Sequence, residues 1–131
     1  MSDSEPILLL IEDDPFFQKF YTFKLREQKF EVFVAKDGVE GMQMVRLNIP
    51  NLILLDLIMP NKDGFEVLQE LSQDPVLKNI PVLVFSTLSQ EKDVARALQL
   101  GAKDYVNKSF FDFDKLLFKI QAMIAQGQSQ P

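Results

Sequence analysis

Leu52-Ile53-Leu54-Leu55-Asp56-Leu57-Ile58-Met59-Pro60 decides the fold of this chain. An unbroken apolar run up to Asp56 reads as an interior strand of a parallel sheet, covered on both faces. The carboxylate that ends it does not fill a core. A second run, Ile7-Leu8-Leu9-Leu10-Ile11, ends the same way, in Glu12-Asp13-Asp14. In open α/β sheets, ligands and chemistry sit at the carboxyl ends of the strands. Two strands delivering acids to one rim suggest a site for a hard, oxygen-loving cation.

Outward from these runs, short apolar stretches alternate with amphipathic ones. Strands are expected at about residues 7–11, 30–34, 51–55, 81–86 and 103–107. Glu31 interrupts the second, as an edge strand tolerates. Asp14-Pro15 reads as an N-cap with proline at the first helical position, opening a helix to about Gln28. Its core stripe is Phe17, Phe20, Tyr21 and Lys24 or Leu25. Further helices are expected from Gly38 to Leu47, from just after Gly64 to about Ser72 and from Gln90 to Leu100. Gly101 follows the last of these as a C-cap. A final helix starts near Asp112, with Phe113, Leu116, Leu117, Ile120 and Ile124 on one face.

Strands joined by covering helices imply one α/β domain, a doubly wound five-stranded parallel sheet with helices on both faces. The flavodoxin-like order 2-1-3-4-5 sets strands one and three side by side. That order brings Glu12 and Asp13 next to Asp56. The domain is expected over residues 7–125, between a disordered start (1–6) and a flexible tail (126–131).

Composition narrows the chemistry. The 131 residues carry a net charge of -5, so no basic footprint for nucleic acid is present. No apolar stretch is long enough for a membrane span. Cysteine and histidine are both absent, which removes disulfides, Ser-His and Cys-His catalysis and His-ligated zinc. The lack of cysteine fits a cytoplasmic chain. Carboxylates, hydroxyls and lysine are what remain for chemistry.

Two more strand ends carry such groups: Ser86 and Thr87 after strand four, and Lys108 after strand five. The motifs Leu9-Leu10-Ile11-Glu12-Asp13-Asp14-Pro15, Leu54-Leu55-Asp56-Leu57-Ile58-Met59-Pro60 with Asp63-Gly64, Pro81-Val82-Leu83-Val84-Phe85-Ser86 and Gly101-Ala102-Lys103-Asp104-Tyr105-Val106-Asn107-Lys108 together closely resemble the receiver domain of two-component response regulators. The resemblance covers about residues 6–125. It implies that Asp56 accepts a phosphoryl group from a partner phosphohistidine, on a histidine kinase or a histidine phosphotransfer protein. It implies Mg2+ held by Glu12, Asp13, Asp56 and the backbone carbonyl of Ile58. It implies that Ser86 and Lys108 contact the phosphoryl oxygens, and that Tyr105 moves with Ser86 in the switch. Plain packing is the alternative for Tyr105. The chain would then be no enzyme beyond assisting its own phosphorylation and dephosphorylation. It would act as a monomer or weak dimer on a downstream protein target, without contacting nucleic acid or membrane.

The physics is consistent with these roles. Crowded carboxylates repel one another, and a dication relieves them. Phosphoryl transfer asks for in-line geometry and charge neutralisation, which a metal and a lysine supply. Two other readings stay open: a receiver-like binding module that works without phosphate, and a Mg2+-dependent phosphatase with an aspartyl nucleophile. The second would need an acid just after Asp56, where Leu57 and Ile58 stand.

Three places depart from the family pattern. Ser109 stands where proline, often after a cis bond, is usual; either the cis path is retained, at ~3 kcal/mol before serine, or the loop carrying Lys108 is rearranged, and the retained path is expected. Thr87 replaces a small residue and is expected to narrow access to the site. Ile58 and Leu88 cannot bond an attacking water, which implies a long-lived phosphorylated form. Separately, Phe16 and Phe23 share a face of the first helix. They either dock a partner helix or lie under neighbouring loops or the last helix.

Overall fold

The computed structural model describes residues 4–88, 90–110 and 112–128. The strands are β1 (Ile7–Ile11), β2 (Glu31–Ala35), β3 (Leu52–Leu55), β4 (Val82–Ser86) and β5 (Asp104–Asn107). The helices are α1 (Pro15–Glu27), α2 (Gly38–Leu47), α3 (Gly64–Ser72), α4 (Glu91–Gln99) and α5 (Phe113–Gln128). The strands form one parallel sheet in the order β2-β1-β3-β4-β5, as the sequence implies. Exposed Glu31 sits on an edge strand.

Alternation along the strands divides the interior into two cores. Leu9, Ile11, Ile53, Leu55, Val82 and Val84 face Met42 and Val45 of α2, Val67, Leu68 and Leu71 of α3, and Ala97 of α4. Leu8, Leu10, Leu52, Leu54, Leu83 and Phe85 face Tyr21 and Leu25 of α1 and Leu116, Ile120 and Ile124 of α5. Both faces of the central strands are therefore dry, which is why their sequences are unbroken apolar runs.

Caps fix where the helices begin. Asp14 accepts the N–H groups of Phe16 (2.8 Å) and Phe17 (3.4 Å), and Pro15 leads α1. Asp63 and Glu66 form a reciprocal capping box at the start of α3. Gly101 turns the chain after α4 with φ +115°, a conformation that favours glycine.

One expectation, the cis path after Lys108, is corrected. α5 runs to Gln128; Ala125 and Gln126 suit a helix, and Gly127 does not end it. Met1, Ser2 and Asp3 at the start, and Ser129, Gln130 and Pro131 at the end, lie outside the described residues. Among the described residues there is no cis peptide bond. After Lys108 the chain enters a short 3-10 turn, Lys108–Phe110, instead of keeping a cis path. The Ser109 N–H donates to Asn107 Oδ1 at 2.8 Å, a bond that proline cannot make. No described helix is long and apolar enough to cross a membrane.

Candidate functional site

Register brings the acids together. Ile11 of β1 pairs with Leu55 of β3, so the next residues, Glu12 and Asp56, leave the sheet side by side. Both are tied by their backbones: Glu12 N–H to the Ala35 carbonyl (2.9 Å), Asp56 N–H to the Ile11 carbonyl (3.1 Å). Carboxylate oxygens of Glu12, Asp13 and Asp56 lie within 4.8 Å of one another. Glu12 and Asp56 are buried and Asp13 is exposed at the mouth. This is a donor set of the kind a hard dication takes, two or three carboxylates beside open positions for water and phosphate oxygens.

Lys108 completes the cluster. Its ammonium pairs with Glu12 Oε1 and lies 3.3 Å from Asp56 Oδ2. Glu12 Oε2 accepts the Asp14 N–H at 3.0 Å, and Asp56 Oδ1 accepts the Ile58 N–H at 3.3 Å. Burial pushes the Glu12 carboxyl above the usual carboxylate range. The Lys108 and Asp14 hydrogen bonds pull it down, and the Asp56 charge adds to the rise.

Ser86 is fully buried at the end of β4, and its Oγ accepts the Leu88 N–H at 3.3 Å. The Tyr105 hydroxyl donates to the Leu88 carbonyl, so one residue of the β4–α4 connection is held from both sides. Burial raises the Tyr105 hydroxyl above its usual value; the Asp93 charge adds to this and a hydrogen bond with Ser86 opposes it. Thr87 is exposed, as is the Ile58 side chain beside Asp56.

The sequence-predicted residues thus collect on one rim. Four supporting residues were not singled out for the site. Gln18 Nε2 donates to the Glu12 carbonyl at 2.6 Å and holds that backbone. Gly64 packs so closely that a Cβ there would stand 2.4 Å from the Asp56 carbonyl oxygen. Its N–H donates to the Leu57 carbonyl at 3.0 Å, so the loop after Asp56 folds back on the strand. The Asp63-Gly64 motif was the available signal for that approach. Phe17 and Phe85 place their rings against the Lys108 ammonium.

The sequence matches the model of the response regulator receiver domain over residues 8–121. The chain belongs to the response regulator receiver family. PilH of Pseudomonas aeruginosa is 31% identical over 118 residues, covering 90% of this receiver and 97% of PilH. The DNA-binding transcriptional regulator RpaA of Synechocystis is 34% identical over 126 residues, 96% of this receiver. The chain spans only 52% of the length of RpaA. The manganese-bound crystal structure of the response regulator Rcp1 superposes with a TM-score of 0.77 at 33% identity, covering 90% of this receiver and 91% of Rcp1. Receivers of this family serve two-component signalling.

Proposed function

We propose that this receiver takes a phosphoryl group from a partner phosphohistidine onto Asp56, with Mg2+, and so switches a surface read by a downstream protein. One observation carries the reading. A lone ammonium, Lys108, is buried between Glu12 and Asp56 in a cluster of three carboxylates within 4.8 Å. So dense a negative charge at the carboxyl ends of a parallel sheet suits cation and phosphate chemistry better than packing.

Glu12, Asp13, Asp56 and the backbone carbonyl of Ile58 would hold the metal, and the manganese-bound form of the similar Rcp1 supports a divalent ion as ligand. When bound, Mg2+ supplies charge neutralisation for the transferring phosphoryl oxygens. An Asp56 carboxylate oxygen attacks phosphorus in line, and the P–N bond to the imidazole breaks as the O–P bond forms. Lys108 exchanges Asp56 Oδ2 for a phosphoryl oxygen. The Ser86 hydroxyl donates its proton toward another. Ser86 also holds the Leu88 N–H and Tyr105 holds the Leu88 carbonyl, so movement of the serine is passed to the surface of α4 and β5. The partner is a histidine kinase or a histidine phosphotransfer protein. The chain works as a signalling module, a monomer or weak dimer, and not as an enzyme with an external substrate.

Incubation with acetyl phosphate, with and without Mg2+, followed by mass spectrometry, tests this. The native chain should gain one phosphoryl group only with Mg2+, and Asp56→Asn should gain none. No adduct on the native chain would instead favour a binding module that works without phosphate.

A further inference from the structure

Lys108 is more enclosed than its carboxylate partners explain. Its ammonium lies 4.3 Å from the centre of the Phe17 ring and 5.7 Å from that of Phe85. Phe17 sits in the first turn of α1, where the Asp14 cap fixes its place. Its ring stacks on Tyr21 at 5.7 Å and 10°, and Tyr21 meets Phe85 edge-on at 5.0 Å and 88°. The three rings pack as one group, and Phe17 and Phe85 of that group meet the ammonium that also pairs with Glu12 and Asp56.

The face of an aromatic ring carries negative charge density and attracts a cation, most strongly where water is excluded. Lys108 is only 6% exposed, so that condition is met. An aliphatic residue at position 17 would fill the same space without the attraction.

We propose that Phe17 is a positioning residue for Lys108: its ring face holds the ammonium at the Glu12–Asp56 pair and keeps it there when charge arrives on Asp56. The functional half of this rests on Asp56 as phosphoacceptor. On phosphorylation Lys108 must trade one oxygen partner for another. The ring contact is with a neutral group and needs no exchange, so it steadies the lysine through the change. Phe17 itself touches no reacting atom.

The test compares the native chain with Phe17→Leu, with Phe17→Tyr, and with pentafluorophenylalanine at position 17, which keeps the ring shape and reverses its face charge. Two readouts are used: the rate of acetyl phosphate labelling with Mg2+, and the NMR shifts of the Lys108 side-chain protons without donor. The Leu and fluorinated variants should be labelled about thirtyfold more slowly, the effect of one desolvated ring–cation contact. Phe17→Tyr should keep the native rate. In the native chain the Lys108 protons should be shifted upfield by the ring, and Phe17→Leu should abolish that shift. Unchanged Lys108 shifts in a folded Phe17→Leu would overturn the proposal. Equal slowing in the Leu and Tyr variants, or native labelling in the fluorinated one, would reduce Phe17 to packing and also overturn it. If the native chain is not labelled, the phosphoacceptor reading fails, and the Lys108 shifts then decide the ring contact by themselves.

Discussion

Lys108 and Glu12 stand 96 positions apart in the chain and meet as an ion pair with side chains only 4% and 2% exposed. Asp56 shares the same ammonium. Two buried carboxylates therefore depend on one cation. Lys108→Met keeps an unbranched side chain, one atom shorter, and removes the charge. It should destabilise the protein by about 3 kcal/mol at neutral pH, the typical cost of orphaning a buried ion. Denaturant unfolding in metal-free buffer measures this. A variant as stable as the native chain would show that the pair contributes nothing net.

Glu12 gives stability a pH dependence of known sign. Its folded value lies above its ordinary 4.5, chiefly through burial. The folded protein thus holds this proton more tightly than the unfolded chain does. The stabilising contribution is complete below 4.5 and is lost as pH rises through the folded value. In metal-free buffer, the native chain should therefore gain stability relative to Glu12→Gln as pH falls from neutral toward 5. Parallel stability curves for the two proteins would contradict the prediction.

If Asp56 is the phosphoacceptor, as proposed, its surroundings set how long a phosphoryl group would stay. Ile58 lies 51% exposed and Leu88 half-buried, and neither side chain can orient an attacking water. Ile58→Asn/Leu88→Glu introduces groups that can. The double variant should lose phosphate about tenfold faster, equivalent to one added hydrogen bond in the transition state. Following loss of the labelled form after removal of the donor measures it; equal rates would refute a long-lived native state.

Gly64 has no room for a methyl group. An added Cβ would lie 2.4 Å from the Asp56 carbonyl oxygen and 2.7 Å from Leu57 Cα. Both neighbours are backbone, so neither can swing away. Gly64→Ala should cost about 2 kcal/mol through overpacking and should slow labelling, because relief displaces Asp56. Thermal unfolding together with the acetyl phosphate assay checks both effects.

Much of the fold was legible because the central strands are covered on both sides. Ile7–Ile11 and Leu52–Leu55 contain no polar residue, and the acids at their ends point to one rim. Strand starts differed by one residue at β2, β3, β4 and β5, each beginning one position later than the expected bound. Other features depended on contacts that patterning does not encode. Phe17 has the spacing of a core residue, and periodicity cannot distinguish a ring facing leucine from a ring facing an ammonium. Ser109 announced a departure without its direction; the bond from its N–H to Asn107 supplies it. Phe16 and Phe23 could have been covered or open, and they are 68% and 64% exposed. Gln18 reaches the Glu12 carbonyl only because the cap at Asp14 sets the phase of α1.

The backbone on either side of the acid pair is laced into its neighbours, Glu12 to Ala35 and Asp56 to Ile11. Extra charge on Asp56 cannot be absorbed by a retreat of the strands that carry it. Adjustment falls to the turn after β4, where Leu88 hangs between one hydroxyl of Ser86 and one of Tyr105. On the proposed phosphorylation, a stiff anvil beneath a lightly tethered lever would turn a change confined to a few oxygens into displacement at the molecular surface.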